Sequence, residues 1–320
     1  MGLAVTYLTS IKARHRTADP FFRWLAIASG CGTLVIVSAI IAVMVAGGWK
    51  AFTVFGPRFL IANVWNPVTQ QFGAAAPLFG TLASSVFAMI VAVPLAFGTT
   101  FWLTMIAPPR LFSVVSMAVQ LLAAIPSIIF GMWGVLVVVP FVAHVAQPFA
   151  QWLFGSTPIL SALVTGPRFG TGLLTTAFVL AIMITPSMTA VLCDVFTAIP
   201  PVLRESGYGI GATRWEVVRY IMLPYSREGF IGSIVLGMGR AMGETMAVTF
   251  VIGDNNHISW SLFAPTNSIA SLIALEFPES PTGSLKLASL LALGAILMAI
   301  SFFTLWCSRW LLTRGSLARC

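Results

Sequence analysis

Charged residues are scarce in this sequence of 320 residues: Asp, Glu, Lys and Arg make up 8% of it, whereas hydrophobic residues make up 58%. Soluble domains carry about 25% charged residues, so this composition excludes an ordinary soluble fold. The bases outnumber the acids and give a formal net charge of +8. They lie mainly beside the ends of apolar runs, not in the basic and aromatic cluster of a nucleic-acid-binding surface. The composition therefore indicates a membrane protein that does not bind nucleic acid.

Motifs that carry chemistry are also missing. The four cysteines show no paired spacing and have no cluster of histidines nearby, so neither a disulfide framework nor a zinc site is predicted. No Gly-Lys-Ser/Thr loop is present that would hold a nucleotide phosphate. We therefore predict that the chain has no catalytic residues, is not an enzyme, and binds neither a cofactor nor a metal.

Six stretches of about 20 or more mostly apolar residues are each long enough to cross a bilayer. They predict an all-α polytopic membrane protein with a basic tail over residues 1–23, a first transmembrane helix over 24–46 and a five-helix core over 77–312. Pro94 and Pro126 fall inside the second and third spans, where kinks are tolerated if neighbouring groups satisfy the freed carbonyls. The six predicted spans are Trp24–Ala46, Pro77–Ile106, Leu111–Val139, Gly170–Leu192, Phe230–Ile252 and Leu285–Leu312.

The distribution of Lys and Arg predicts the orientation of these spans. With a cytoplasmic N-terminus, twelve of the seventeen bases fall in inside segments and four in outside segments, while Arg240 lies within a span. Cytoplasmic segments are enriched in these residues, so both termini and the loop over 194–229 are predicted to be cytoplasmic. The outside loops are too short and irregular to predict a separate binding domain.

The loop between the fourth and fifth spans is the most polar part of the chain. Its sequence predicts two short helices, Pro200–Tyr208 and Arg214–Met222, joined by a glycine-containing turn. Thr213 and Glu216 have the spacing of a capping box, and Pro224 is predicted to end the second helix. From these residues alone, an amphipathic helix lying on the membrane surface explains the loop equally well.

The spacing of the same loop also matches a known signature. The chain resembles the permease subunits of ABC importers, whose EAA motif reads Glu-Ala-Ala, three residues, Gly, nine residues, Ile, one residue, Leu-Pro. Two alanines are replaced here by Ser206 and Gly207, which are still small. The resemblance implies a type I ABC importer permease fold, and it implies that this loop forms a coupling helix that docks in a cleft of a separate ATPase. The matching residues are Glu205, Ser206, Gly207, Gly211, Ile221, Leu223 and Pro224.

Three longer segments are similar to the PstC-type, phosphate-specific branch of that family. They are Leu121–Gly134, Tyr208–Val217 and Gly237–Gly253, and the similarity extends from about residue 20 to 310. It implies a subunit of an ATP-driven phosphate importer in the bacterial inner membrane. The implied partners are a PstA-like second permease, a PstB-like ATPase dimer that uses ATP and Mg, and a PstS-like periplasmic phosphate-binding protein. The alternatives are a stand-alone proton-coupled anion carrier and an ABC permease for another oxyanion such as sulfate or molybdate.

Two charged residues lie within the fifth predicted span. Each charge costs about 2.5–3.5 kcal/mol at the centre of a membrane helix. Arg240 and Glu244 have the i, i+4 spacing that places them on one helical face, where they can pair. Because a guanidinium binds phosphate with two parallel hydrogen bonds, we predict that both residues belong to the substrate pathway, with Glu244 competing for Arg240. The alternatives are an ion pair that only braces helices, and a proton relay at Glu244.

Overall fold

A computed structural model describes the backbone of residues 2–317 and their side chains except those of residues 2–19, 158–160 and 311–317. The chain is almost entirely helical, because a helix satisfies its own backbone hydrogen bonds where no water is present. Two strands, β1 (Trp65–Asn66) and β2 (Gln71–Phe72), pair antiparallel in a hairpin. The helices are α1 (Gly2–Phe55), α2 (Arg58–Ile61), α3 (Ala75–Met105), α4 (Pro109–Ala123), α5 (Ser127–Phe154), α6 (Pro158–Val164), α7 (Leu173–Thr197), α8 (Pro201–Gly209), α9 (214–225), α10 (Arg227–Gly243), α11 (Met246–Val251), α12 (Ile269–Glu276) and α13 (Leu285–Leu317).

The predicted all-α polytopic architecture is confirmed. Within the described part of the chain, five helices are long and apolar enough to cross a membrane. They are Pro20–Phe55, Ala75–Met105, Ser127–Phe154, Leu173–Thr197 and Leu285–Trp310. Several bases that were counted for the orientation have side chains outside the described part, namely Lys12, Arg14, Arg16, Arg314 and Arg319.

The prediction of a single third span over Leu111–Val139 is wrong. The helix stops at Ala123, and a new helix begins after Pro126, whose backbone is extended at ψ 136°. Proline lacks an amide hydrogen and its ring opposes the helical conformation of the residue before it. The new helix α5 then passes through Pro140, which lies between two wide π-helical segments, and continues to Phe154.

The prediction of a single fifth span over Phe230–Ile252 is also wrong. Helix α10 ends at Gly243, Glu244 adopts an extended conformation with ψ 124°, and α11 begins at Met246. Glycine weakens a helix because it has the most conformational freedom to lose. Arg240 and Glu244 therefore do not lie one turn apart on a continuous helix.

Helices α3 and α7 form the centre of the bundle and pack along much of their length. Lipid supplies no hydrophobic drive between helices, so close van der Waals contact between small residues holds them together. Ala88, Ala92 and Ala96 follow one another at helical spacing on α3 and have no exposed surface. Helices α4 and α10 also pack against α7, α11 packs against α5, and α13 packs against α1.

Candidate functional site

Helices α8 and α9 form a helical hairpin that contains every residue of the predicted coupling motif. Helix α8 covers Pro201–Gly209, shifted by one residue from the predicted Pro200–Tyr208. The turn that follows it is closed by a hydrogen bond from the Ala212 amide to the Gly207 carbonyl at 3.1 Å. Gly211 has a φ of +86°, which side chains rarely adopt, although the space beside it is open. The requirement for glycine at this position is therefore conformational.

The predicted capping box at the start of α9 is confirmed. The Thr213 hydroxyl oxygen accepts a hydrogen bond from the Glu216 amide at 3.3 Å, and the Glu216 carboxylate accepts one from the Thr213 amide at 2.7 Å. Hydrogen bonds from the Thr213 amide, which has the larger effect, and from the Thr213 hydroxyl hold the pKa of the Glu216 carboxyl below its usual value. The predicted end of this helix at Pro224 is wrong, because the π-helical turns of Val217–Met222 accommodate the proline ring and the helix runs on to Tyr225.

The coupling-motif residues divide into a packed group and an exposed group. Gly207 is buried, and a Cβ atom placed on it would lie 2.5 Å from Cδ1 of Ile221 and 3.0 Å from Cγ2 of Val217. Ile221, Leu223 and Pro224 are half-buried, so this group holds the two helices together. The exposed residues are Glu205, Ser206 and Gly211, together with Ile210, which is 86% exposed.

Aromatic contacts connect the hairpin to the transmembrane bundle. Trp215 of α9 meets Phe97 and Phe101 of α3 edge-on, at ring-centre distances of 6.4 and 5.9 Å. Phe97 also contacts Phe196 of α7 at 6.3 Å. These ring contacts link the hairpin to both central helices. Sequence reasoning missed Trp215, because neither helical spacing nor the signature gives it a role.

The structure does not bring Arg240 and Glu244 together as an ion pair. Among the side chains that the structure describes, the one ion pair is between Lys286 and Glu276, with 2.7 Å between nitrogen and oxygen. Glu244 instead accepts a hydrogen bond from the Ala247 amide at 3.3 Å and so caps α11. Arg240 lies in the last turn of α10, half-buried, and lines a cavity of about 380 Å³ between α10 and α13.

The Lys286–Glu276 pair is a second feature that sequence reasoning missed. It joins α12 to the start of α13, and both side chains are largely buried, with 17% and 22% of their surface exposed. In the sequence, Lys286 is recognisable only as a base in an outside segment. No short-range pattern links the two residues, so a sequence signal for the pair is not apparent.

The two helix breaks lie side by side at one level of the bundle. A Cβ atom placed on Gly131 of α5 would lie 2.9 Å from Cα of Ala247 and 2.8 Å from the ring of Phe250, both on α11. Gly131 is one turn beyond the start of α5, and Ala247 is in the first turn of α11. The first turns of these two helices, whose N-termini carry a partial positive charge, are therefore in contact, and α11 begins shortly after the turn that carries Arg240.

Comparison with known proteins defines the class of the chain. Residues 96–314 match the family described as binding-protein-dependent transport system inner membrane component. The fold is shared with a bacterial alginate ABC transporter crystallised with its alginate-bound periplasmic protein, at a TM-score of 0.57 and 14% identity over 89% of this chain and 92% of that one. The predicted type I ABC importer permease fold is thus confirmed.

Two relatives identify the branch of that class. The phosphate transport system permease protein PstC of Mesorhizobium japonicum is 46% identical over 94% of this chain and 92% of its own length. The protein of the same name from Pasteurella multocida is 45% identical over 95% of this chain and 94% of its own length. The chain belongs to the family of binding-protein-dependent inner membrane transport components, as a permease of the PstC type.

Proposed function

We propose that the chain is the permease subunit of an ATP-driven importer of inorganic phosphate and forms the translocation pathway with a second, PstA-like permease. The observation that carries this proposal is the near full-length likeness to two proteins that are named for phosphate transport. A stand-alone proton-coupled carrier is not favoured, because the family depends on a binding protein. The chain is a transport subunit and not an enzyme.

The paired helix breaks support a pathway role for Arg240 and Glu244. A phosphate that reaches Arg240 meets a permanent charge with a planar fork of donors, in the last turn of α10 before the break that leads to α11. In this conformation Glu244 caps α11 through the Ala247 amide, so Arg240 is left without a competing carboxylate. A rotation of Glu244 toward Arg240 would weaken the hold on the anion and favour its release. The ion-pair brace is less favoured, since the two side chains form no such pair.

The α8–α9 hairpin supports the coupling role. Its exposed face, with Glu205, Ser206, Ile210 and Gly211, is available to a PstB-like ATPase dimer in the cytoplasm, which would use ATP and Mg. Its packed face leads through Trp215 to α3. This assignment places both termini in the cytoplasm, the chain in the bacterial inner membrane, and a PstS-like phosphate-binding protein on the outer side.

Transport by the reconstituted complex tests the proposal. The chain is assembled with its second permease and ATPase in liposomes that contain ATP, and the binding protein and labelled phosphate are added outside. We expect uptake that requires ATP and the binding protein and that excess phosphate abolishes. Excess sulfate or molybdate should leave it unchanged. Uptake without ATP would contradict an importer of this type. Competition by sulfate or molybdate would contradict the assignment of phosphate as the specific substrate.

A further inference from the structure

Residues 56–74 form an ordered segment, which we call the outer cap, between the end of α1 and the start of α3. It contains α2 and the β1–β2 hairpin. Phe59 and Phe72 are buried in it and contact Phe55 of α1 at ring-centre distances of 6.1 and 6.3 Å. The amide of Ala74 donates to the carbonyl of Phe59 at 2.7 Å. The cap precedes residue 96, where the match to the wider family begins.

The length of α1 places the outer cap beyond the apolar layer. Trp24 and Trp49 are separated by 25 residues of helix, or about 37 Å, which suits two tryptophans at opposite membrane interfaces. Lys50 follows and donates to the carbonyl of Gly283 at 3.2 Å. The helix then continues to Phe55, about 9 Å further. The cap therefore meets water and lipid headgroups and not acyl chains.

Apolar side chains nevertheless project from the cap. Val68 is 91% exposed, Ile61 is 79% exposed and Val64 is also exposed. Their backbone is fixed by the buried phenylalanines, so their exposure is not that of a loose loop. Large exposed apolar residues on an ordered surface in water mark an interaction site when they are grouped.

A cavity of about 670 Å³ is lined by Ile61 and Val64, and within the part of the chain that the structure describes Arg58 is the one charged residue in its lining. Arg58 and Asn63 line it together with apolar side chains. Residues 47–76 contain Lys50 and Arg58 but no acidic residue. The cavity and its rim therefore complement an apolar surface that carries carboxylates.

We propose that the outer cap is a docking surface for the periplasmic phosphate-binding protein, with Val68 and Ile61 as apolar contacts and Arg58 as the partner of an acidic side chain. The proposal rests on the proposed function, because a binding-protein-dependent importer must receive its anion from a soluble protein on this side. The cap fits that occupant better than it fits lipid, since it stands beyond the interfacial tryptophan and Lys50.

Single-cysteine labelling in nanodiscs tests the surface directly. In a chain without its four native cysteines, Val68→Cys is assembled with the second permease and ATPase and treated with a membrane-impermeant maleimide. We expect rapid labelling, and at least tenfold slower labelling after saturation with the phosphate-binding protein. Trp260→Cys, at a 75% exposed position on another outer loop, is the matched control and should keep its rate. If Val68→Cys is not labelled even before the phosphate-binding protein is added, position 68 is inserted into lipid, and the proposal is overturned.

Affinity measurements separate the docking surface from the transport function. Val68→Asp and Arg58→Glu should each weaken binding of the phosphate-binding protein by about tenfold or more, whereas Trp260→Asp should not. The ATPase rate without the binding protein should stay at its wild-type level, which shows that the complex is assembled. Unchanged affinity of both cap variants would overturn the proposal. If the wild-type complex binds the protein but transports no phosphate, the proposed function fails while the docking surface stands.

Discussion

The α8–α9 hairpin and the broken span α10–α11 contain the residues on which the proposed function depends, yet their structures are determined by different kinds of contact. In the hairpin, neighbours in sequence fix the structure: Thr213 caps the helix with Glu216, and Gly211 takes the left-handed turn. In the broken span, the contacts that matter come from α5, which is more than a hundred residues earlier in the chain. Short-range signals therefore predict a surface loop well and a transmembrane break poorly.

The largest expected effect concerns Arg240. Arg240→Gln removes the permanent charge in the last turn of α10, which should lower phosphate uptake by about 10–100-fold, the value of a lost charged hydrogen bond of about 1.5–3 kcal/mol. The measurement is labelled-phosphate uptake, normalised to the amount of membrane-inserted subunit. Arg240→Lys keeps the charge but loses the planar fork of donors, so its uptake should lie between that of the wild type and that of Arg240→Gln. Near-normal uptake by Arg240→Gln would mean that the anion does not meet this residue.

A bulky residue at Gly131 tests whether the two breaks must stay in contact. Gly131→Val places atoms against the backbone of Ala247 and the ring of Phe250, and overpacking of this kind costs about 1–3 kcal/mol. We expect uptake to fall with little loss of ATPase binding, because the hairpin is remote from the change. Gly98→Val on α3 is the matched control, since a Cβ atom there meets nothing within 4 Å. Equal uptake by the two variants would show that the close contact is not needed.

The turn of the hairpin gives the next effect. Gly211→Val forces a branched side chain into a left-handed conformation, which costs about 1–3 kcal/mol, so the exposed coupling face should be displaced. ATPase attachment and uptake should fall together while the subunit still inserts in the membrane. Gly209→Ala is the matched control, because Gly209 lies in a helix and has open space beside it. If Gly211→Val binds the ATPase fully, the hairpin is only a solvated connector.

The sequence predicted the fold class, the presence of an apolar helix at the position of α7 and the capping of α9, because each follows from apolar length or from residues three apart. It failed where distant packing or a proline decides the path of the backbone, as at Pro126 and in the continuation of α5 through Pro140. It also placed Arg240 and Glu244 on one helix, since the spacing i, i+4 cannot reveal that the helix ends between them. The pathway role of Arg240 and Glu244 stays a prediction, and the sequence did not reveal how the two residues lie relative to each other.

The smallest effect concerns the pH dependence of the hairpin. The Thr213 hydrogen bonds lower the pKa of Glu216 from its usual value near 4.5. Its contribution to the stability of α9 is therefore present above that usual value and is lost as pH falls through the lower pKa of the folded state. Amide hydrogen exchange in the first turn of α9, corrected for the intrinsic rate at each pH, measures this contribution.

We expect Glu216→Gln to reduce protection at pH 6, because the side-chain amide cannot replace the charged acceptor. The wild type should approach the variant only below the folded-state pKa. Equal protection at pH 6 would show that the capping carboxylate does not stabilise the helix, and the hairpin would then depend on the packing of Gly207 against Ile221.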